Sequence, residues 1–387
     1  MSSLTYGQLV CAICHAELLQ HPSEAAELTC AGCCQPYIVF AGRIPLILPD
    51  SVSYRVNTYW QYNKYLRETE ATLAKLRQNS AQPWAAARAQ YLREALTTNA
   101  VYIARIQQQL AASLPPELLL ARPADKLRSL AYLSSFSYLK RDWCGLPEDE
   151  QELQTIIGAV RAGLPTTSQP GQALVLGAGT ARVAAMLKDD FEQVYAIDLS
   201  LTMAWQYHNL AEQGAVRFYD IQSKNARSLA EQATEHWATA NLVPNLAPDS
   251  LQYWVADVKQ IPLPTNSVAA VVSVYFTDTV PLHEYLGEVK RVLRPGGVFI
   301  NFGPLEYHFT DISAHLSAEE VRSVFESYGF RVVQEQEVTT SHLLRPASLA
   351  YKTYHNWFFS AVLTAEDEAA SQTITDRAPR AAVSSLL

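Results

Sequence analysis

From about residue 170 the chain alternates short β-branched runs with helical stretches, and no other feature restricts its fold as strongly. The runs Ala173–Leu176, Gln193–Ile197, Gln252–Val255, Ala269–Tyr275 and Val298–Phe302 each have the length of a buried strand. Helix-length segments separate them, a pattern that indicates a parallel sheet with crossover helices. The expectation is an α/β domain, a Rossmann-like sheet with helices on both faces. The first run ends in Gly177-Ala178-Gly179. Glycine there lets the backbone swing sharply and approach a ligand closely, because no Cβ intervenes. Taken alone a Gly-x-Gly is a weak signal, since a plain strand-to-helix turn looks the same.

Two acids give that turn a context. The second run closes on Asp198, where a carboxylate can hold a ribose diol through two hydrogen bonds. The third closes on Asp257-Val258, from where a carboxylate can accept from an adenine amino group. Leu293-Arg-Pro295-Gly-Gly precedes the fifth run. An NAD-binding domain is the competing reading. It more often carries a third glycine where this chain has Arg182, and Leu-Arg-Pro-Gly-Gly before a β-rich end is not expected of it. The whole order resembles class I methyltransferases. That resemblance implies S-adenosyl-L-methionine as cofactor, held around Gly177, Ala178, Gly179, Asp198, Asp257, Val258 and Val274.

At the other end of the chain, Cys11-x-x-Cys14 and Cys30-x-x-Cys33 have the spacing of two knuckles that close a tetrahedral zinc site. Residues 1–50 are too few to bury much apolar surface alone, and a closed four-cysteine site supplies the missing folding energy. A structural Zn2+ is therefore expected on Cys11, Cys14, Cys30 and Cys33, with redox cysteines or a metal-free ribbon as alternatives. Cys34 reads as a bystander. The strand-like runs Pro36–Phe40 and Ile44–Leu48 flank a turn at Ala41-Gly42-Arg43. With Tyr37-Ile-Val and Gly42-Arg-Ile-Pro45, the segment resembles the ribbon ahead of some bacterial ribosomal-RNA methyltransferases. Such ribbons touch substrate or pack on the catalytic domain, and both roles stay open.

Between these zones, residues 51–165 are rich in Ala, Leu, Gln and Arg, with apolar residues at helical spacing over Tyr59–Leu76, Ala85–Leu96 and Val101–Leu114. The expected organisation is a ribbon over 1–50, a helical segment over 51–165, the methyltransferase domain over 166–363 and a flexible tail over 364–387. The net charge of −8, from 30 Lys and Arg against 38 Asp and Glu, argues against a phosphate-backbone partner. Apolar stretches such as Val268–Phe276 fall far short of the roughly 20 residues a membrane helix needs, so no span is expected. Met1–Val10 lacks the features of a secretory signal, and the cysteine pattern suits a reducing compartment. The expected address is the cytoplasm, and the expected partner is a small molecule or peptide.

Flanking residues narrow the resemblance. Arg141-Asp142-Trp143, Phe276-Thr-Asp278-Thr279, Asn301-Phe-Gly303-Pro304-Leu305-Glu-Tyr307-His308-Phe309, Leu316-Ser-Ala-Glu-Glu-Val, Tyr328-Gly329-Phe330 and the aromatic run Tyr351–Phe359 resemble the carnosine N-methyltransferases. The likeness spans about residues 135–360 and leaves the ribbon outside. It implies that Asp278 and His308 hold a substrate imidazole and that Tyr351 or Tyr354 lines the pocket. It also implies that Arg141 pairs with the cofactor's methionine carboxylate, while Tyr307 would form part of the wall. This chain departs from the family at Asp198, where Glu is expected, at Tyr138, where a glutamine falls, and at Val280-Pro281, in place of Ala-His. The implied function is N-methylation of an imidazole in histidine, a histidine-containing dipeptide or peptide, or a related metabolite. RNA methylation through the ribbon, methylation of another small natural product and a non-catalytic assembly role are the alternatives. Each residue also has a plainer reading: Asp278 as the N-cap of a helix near Leu282, His308 as a structural histidine, and Tyr307 and the aromatic run as core.

Overall fold

A computed structural model describes residues 8–21, 24–120, 136–165, 171–246 and 251–364, so the tail expected over 364–387 lies beyond the described residues after Thr364. The ribbon contributes β1 (Leu18–His21), β2 (Glu24–Cys30), β3 (Pro36–Phe40) and β4 (Ile44–Ile47), paired antiparallel in sequence order. The helical segment follows as α1 (Ser51–Asn79), α2 (Ala86–Ala112), α3 (Pro116–Leu120), α4 (Ser137–Trp143) and α5 (Pro147–Ala162). The helical spacing over Ala85–Leu96 and Val101–Leu114 belongs to one continuous helix, α2. No Pro or Gly interrupts the run, and Ala95, Asn99, Ile103 and Ile106 keep one face buried across the join.

The remaining elements alternate: β5 (Gln172–Leu176), α6 (Arg182–Met186), β6 (Gln193–Asp198), α7 (Leu201–Gln213), then a hairpin of β7 (Ala215–Ile221) and β8 (Ala233–Thr239). They continue with β9 (Leu251–Ala256), β10 (Val268–Val274), α8 (Leu286–Val292), β11 (Leu293–Gly303), α9 (Ala318–Ser327), β12 (Phe330–His342) and β13 (Lys352–Leu363). The sheet has eleven strands in the order β1-β2-β3-β4-β9-β6-β5-β10-β11-β13-β12. From β4 to β11 neighbours run parallel, and β13 and β12 close the far edge antiparallel. Among the described residues, no helix is long and apolar enough to cross a membrane.

The strands are apolar on both faces because both faces are covered. Period-2 alternation sends Ala173 and Val175 of β5 to one side, against α1, α2, α4, α5 and α7, and Leu174 and Leu176 to the other, against α8 and α9. The ribbon shares that second side. Leu28, Tyr37, Val39 and Ile47 belong to the same core as Tyr195, Ile197 and Trp254, and β4 pairs in parallel with β9 through Leu46↔Val255 and Ile47↔Ala256. The compositional boundary at residue 50 therefore falls inside one continuous sheet. β5 leads by way of α6 to β6 on one side, while β10 and β11 extend the other, so a crevice opens beyond the carboxyl ends of β5 and β10.

Candidate active site

Two adjoining cavities occupy that crevice. The first, of about 260 Å³, is lined by Gly177, Ala178, Gly179, Asp198, Arg141 and Val274, among others. The expected cofactor residues after β5, β6 and β10 are thus brought together with Arg141 of α4. Gly177 has φ +55°, and a Cβ there would stand 2.2 Å from Cδ2 of Phe276, so only glycine lets the turn pass under that ring. A Cβ on Gly179 would meet nothing within 4 Å, which leaves its backbone open to a ligand. Asp198 accepts from the Gly179 N–H at 3.0 Å and from Ser200 N–H at 2.8 Å. Enclosure pushes its carboxyl up to about 6, against those hydrogen bonds. Asp257 and Val258 are not among the residues lining this cavity; the Asp257 carboxylate caps the turn that follows it by accepting from Lys259 N–H at 2.9 Å.

The glycine turn is pinned from several sides. Tyr253 of β9 donates its hydroxyl to the Gly179 carbonyl at 2.6 Å, and Trp143 donates to the Thr180 carbonyl at 2.9 Å. Asp142 accepts from Arg141 Nε at 2.7 Å and from the Thr180 hydroxyl. The Arg141-Asp142-Trp143 run therefore does two jobs: Asp142 and Trp143 hold the turn while Arg141 faces the cavity. Burial opposes the charge on Arg141, but the Asp142 and Glu152 carboxylates outweigh it and hold its pKa above the ordinary value. From α1, Tyr54 donates to the Leu199 carbonyl at 2.6 Å and accepts from Leu201 N–H at 2.9 Å, fixing the loop after Asp198. Neither Tyr54 nor Tyr253 sits in a local motif, and their contacts bridge elements far apart in sequence.

The second cavity, of about 540 Å³, shares Tyr138, Tyr275 and Thr279 with the first. Asp278, His308, Tyr351 and Tyr354 all line it. Asp278 is buried and does not cap the turn that begins at Leu282; its Oδ2 accepts from Glu306 N–H at 2.9 Å, and its carbonyl accepts from His308 N–H at 3.0 Å. One residue thereby ties the segment after β10 to the segment after β11. Burial pushes the Asp278 carboxyl up to about 6, opposed by the Glu306 hydrogen bond and by His308. Tyr354 donates to Glu306 at 2.7 Å, and Tyr351 is largely exposed at the rim. Tyr307 is placed elsewhere: its hydroxyl donates to the Leu316 carbonyl at 2.7 Å and its ring stacks on His315, outside both sets of lining residues.

Sequence reasoning passed over the floor of this cavity. Tyr275 adopts φ +53°, a strained setting for a bulky residue, and turns its ring between the two cavities. Its hydroxyl donates to Oε1 of the buried Glu152 at 2.8 Å, and His342 Nδ1 lies 2.8 Å from the same oxygen.

The four ribbon cysteines converge as their spacing predicts. Their sulfurs all lie within 4.8 Å of one another, with Cys11 to Cys33 at 3.6 Å and Cys14 to Cys30 at 3.3 Å. The N–H of Ile13 points at Cys11 Sγ at 3.4 Å and that of Gly32 at Cys30 Sγ at 3.3 Å. The Tyr37 hydroxyl lies 3.1 Å from Cys11 Sγ, the kind of supporting contact that orients a metal ligand. No ribbon residue is among those lining either cavity.

Residues 124–365 match the profile described as carnosine N-methyltransferase. The carnosine N-methyltransferase of Rattus norvegicus is 27% identical over 239 residues, which are 56% of this chain and 57% of the rat protein. That of Mus musculus is 32% identical over 111 residues, 26% of this chain and 28% of that one. This chain thus spans little more than half the length of the rat relative. Among solved structures, a putative methyltransferase of Bacillus halodurans is 12% identical, with 56% of this chain and 100% of that chain covered and a TM-score of 0.38.

Proposed function

The chain belongs to the carnosine N-methyltransferase family, and on that premise we propose that it transfers a methyl group from S-adenosyl-L-methionine to a nitrogen of an imidazole in a small histidine-containing acceptor. The observation that carries the reading is the pair of adjoining cavities. One holds the glycine turn, Asp198 and Arg141; the other holds a buried carboxylate, Asp278, beside His308.

The residues of the first cavity fit the cofactor. Asp198 offers acceptors for a ribose diol, the open backbone of Gly179 allows close approach, and Arg141 is a buried guanidinium suited to a carboxylate. Bound there, the cofactor supplies a methyl group on a sulfonium. Gly177→Ala tests this placement. It forces Phe276 off the cavity wall and is expected to weaken binding of S-adenosylhomocysteine about 10- to 100-fold, the effect of a small misplacement at a packed site. Calorimetric titration checks it, and unchanged affinity would move the cofactor elsewhere.

In the second cavity Asp278 accepts the N–H of the acceptor ring, which fixes the tautomer whose other nitrogen keeps its lone pair. That nitrogen would take the methyl group that the bound cofactor supplies. The ring becomes cationic, and the Asp278 carboxylate stabilises that charge and then takes the ring proton. His308 and Tyr354 line the space beside the ring. The four cysteines fit a structural zinc, which would hold the ribbon against the edge of the sheet and take no part in the reaction.

The test incubates the protein with labelled S-adenosylmethionine and a panel of histidine, carnosine, histidine-containing peptides, other imidazoles and RNA. Labelling of an imidazole acceptor is expected. Labelling only of RNA or of a non-imidazole acceptor would keep the methyl transfer and discard the substrate class.

A further inference from the structure

His342 ends β12, is only 8% exposed, and still lines the acceptor cavity. Glu152 of α5 stands behind it with its side chain 2% exposed, outside both sets of lining residues. Burial by itself would raise the Glu152 carboxyl, but the hydrogen bond from His342 and the charge of Arg141 hold it below the ordinary carboxylate value. It is therefore ionised and acts only as an acceptor. Burial lowers the pKa of His342, with Glu152 opposing, so the ring is neutral at neutral pH. The charged groups acting on it are Arg141 and Asp142 from α4 and Glu152 from α5. Around it pack the rings of Tyr138, Tyr275 and Tyr354.

A neutral imidazole whose Nδ1 rests on a carboxylate carries its proton at Nδ1. Its Nε2 then has a lone pair and no hydrogen, on a ring that lines the cavity. The cavity lining thus includes two acceptors, Asp278 and His342, along with the donors Arg345 and Lys352, and Asp278 is the one assigned to the reacting ring. We propose that Glu152 is a positioning residue that locks His342 in the Nδ1–H tautomer, and that His342 Nε2 accepts an N–H of the methyl acceptor outside its reacting ring, an ammonium or amide. The selectivity would then lie with acceptors that carry such a donor beside the imidazole. This inference rests on the imidazole reading above.

Two variants and two readouts test it. In 15N spectra of histidine-labelled protein saturated with S-adenosylhomocysteine, His342 should show the Nδ1–H tautomer, and Glu152→Gln should shift it toward Nε2–H, because the amide can donate to Nδ1. A merely structural Glu152 would leave the tautomer unmoved. Second, kcat/KM, or Kd where turnover is slow, is compared for histidine and for imidazolepropionate, which lacks the ammonium. The ratio of the two should fall about 10- to 30-fold in both Glu152→Gln and His342→Phe, the effect of leaving one buried polar group unpaired. An unchanged ratio, or an Nε2–H tautomer in the wild type, overturns the inference while leaving the imidazole reading standing. A wild type that neither binds nor methylates any imidazole compound, carnosine and histidine-containing peptides included, overturns both.

Discussion

Asp278→Asn is expected to reduce methyl transfer by about 10³-fold or more while S-adenosylhomocysteine still binds, because charge stabilisation of a developing cation in a water-poor site is worth roughly that much. The asparagine Oδ1 can still accept from Glu306 N–H, so the link between the segments after β10 and β11 survives. What disappears is the negative charge beside the acceptor ring and the base for its proton. Steady-state rates with the best imidazole acceptor, alongside cofactor titration, check the expectation. A loss of less than tenfold would mean that Asp278 only shapes the loop. The wild-type pH profile belongs to the same argument: with Asp278 raised to about 6, kcat/KM should rise through that pH and level off above it.

Stability should move the other way. A carboxyl whose pKa is raised from 3.8 to about 6 on folding binds its proton more tightly in the native state. The resulting stabilisation is complete below pH 3.8 and is lost as pH rises through about 6, so at neutral pH the ionised Asp278 is a net liability. At 1.36 kcal/mol per unit the difference is on the order of 3 kcal/mol, and Asp278→Asn should therefore match or exceed the wild type in thermal stability at pH 7. On the role proposed for Asp278, the substitution that removes activity is expected to leave the fold stronger.

The parts of this site that the sequence makes legible are those written locally. Strands buried on both faces read as short apolar runs, and of the two acids ending such runs Asp198 lines the crevice while Asp257 caps its own turn. The four cysteines converge because two knuckles need only their own spacing. Glu152 and His342 lie 190 residues apart, and neither stands out: Glu152 sits in an acidic helix start that resembles a solvated face, and His342 ends an edge strand. The β7–β8 hairpin was also illegible, because the stretch between its strands offers no tight-turn signal and a helix-like run precedes it. Tyr307 shows the opposite difficulty: the motif around it is specific, but its own ring turns to His315 and away from the cavity. Nor does knuckle spacing reveal that β4, only four residues long, pairs with β9 across some two hundred residues of chain.

That pairing sets the expected result of removing the zinc proposed for the four cysteines. A free-standing ribbon that lost its zinc would unfold alone and leave the catalytic sheet intact. Here the knuckles hold Tyr37 and Leu28 in the core that packs on Tyr195, Ile197 and Trp254, and β4 supplies the edge bonds of β9. β9 in turn carries Tyr253, which holds the Gly179 carbonyl, and its neighbour β6 carries Asp198. Loosening the ribbon therefore reaches the cofactor cavity through two strands without touching the acceptor cavity. Cys30→Ser, or chelation, is expected to cost about 4 kcal/mol or more, since a structural zinc carries folding free energy outright. At about 2.1 cal/mol/K per residue, a chain of 387 residues shifts by roughly 1.2 °C per kcal/mol, so that is a fall in Tm of at least about 5 °C. Affinity for S-adenosylhomocysteine should fall with it, while the ranking of methyl acceptors among the surviving folded molecules should not change. Metal analysis showing one zinc per chain, thermal melts, cofactor titration and relative rates on the acceptor panel check these parts separately. A protein that contains no metal and melts unchanged after Cys30→Ser would show that apolar contacts alone hold the ribbon, and would leave the cysteines to be explained by redox chemistry.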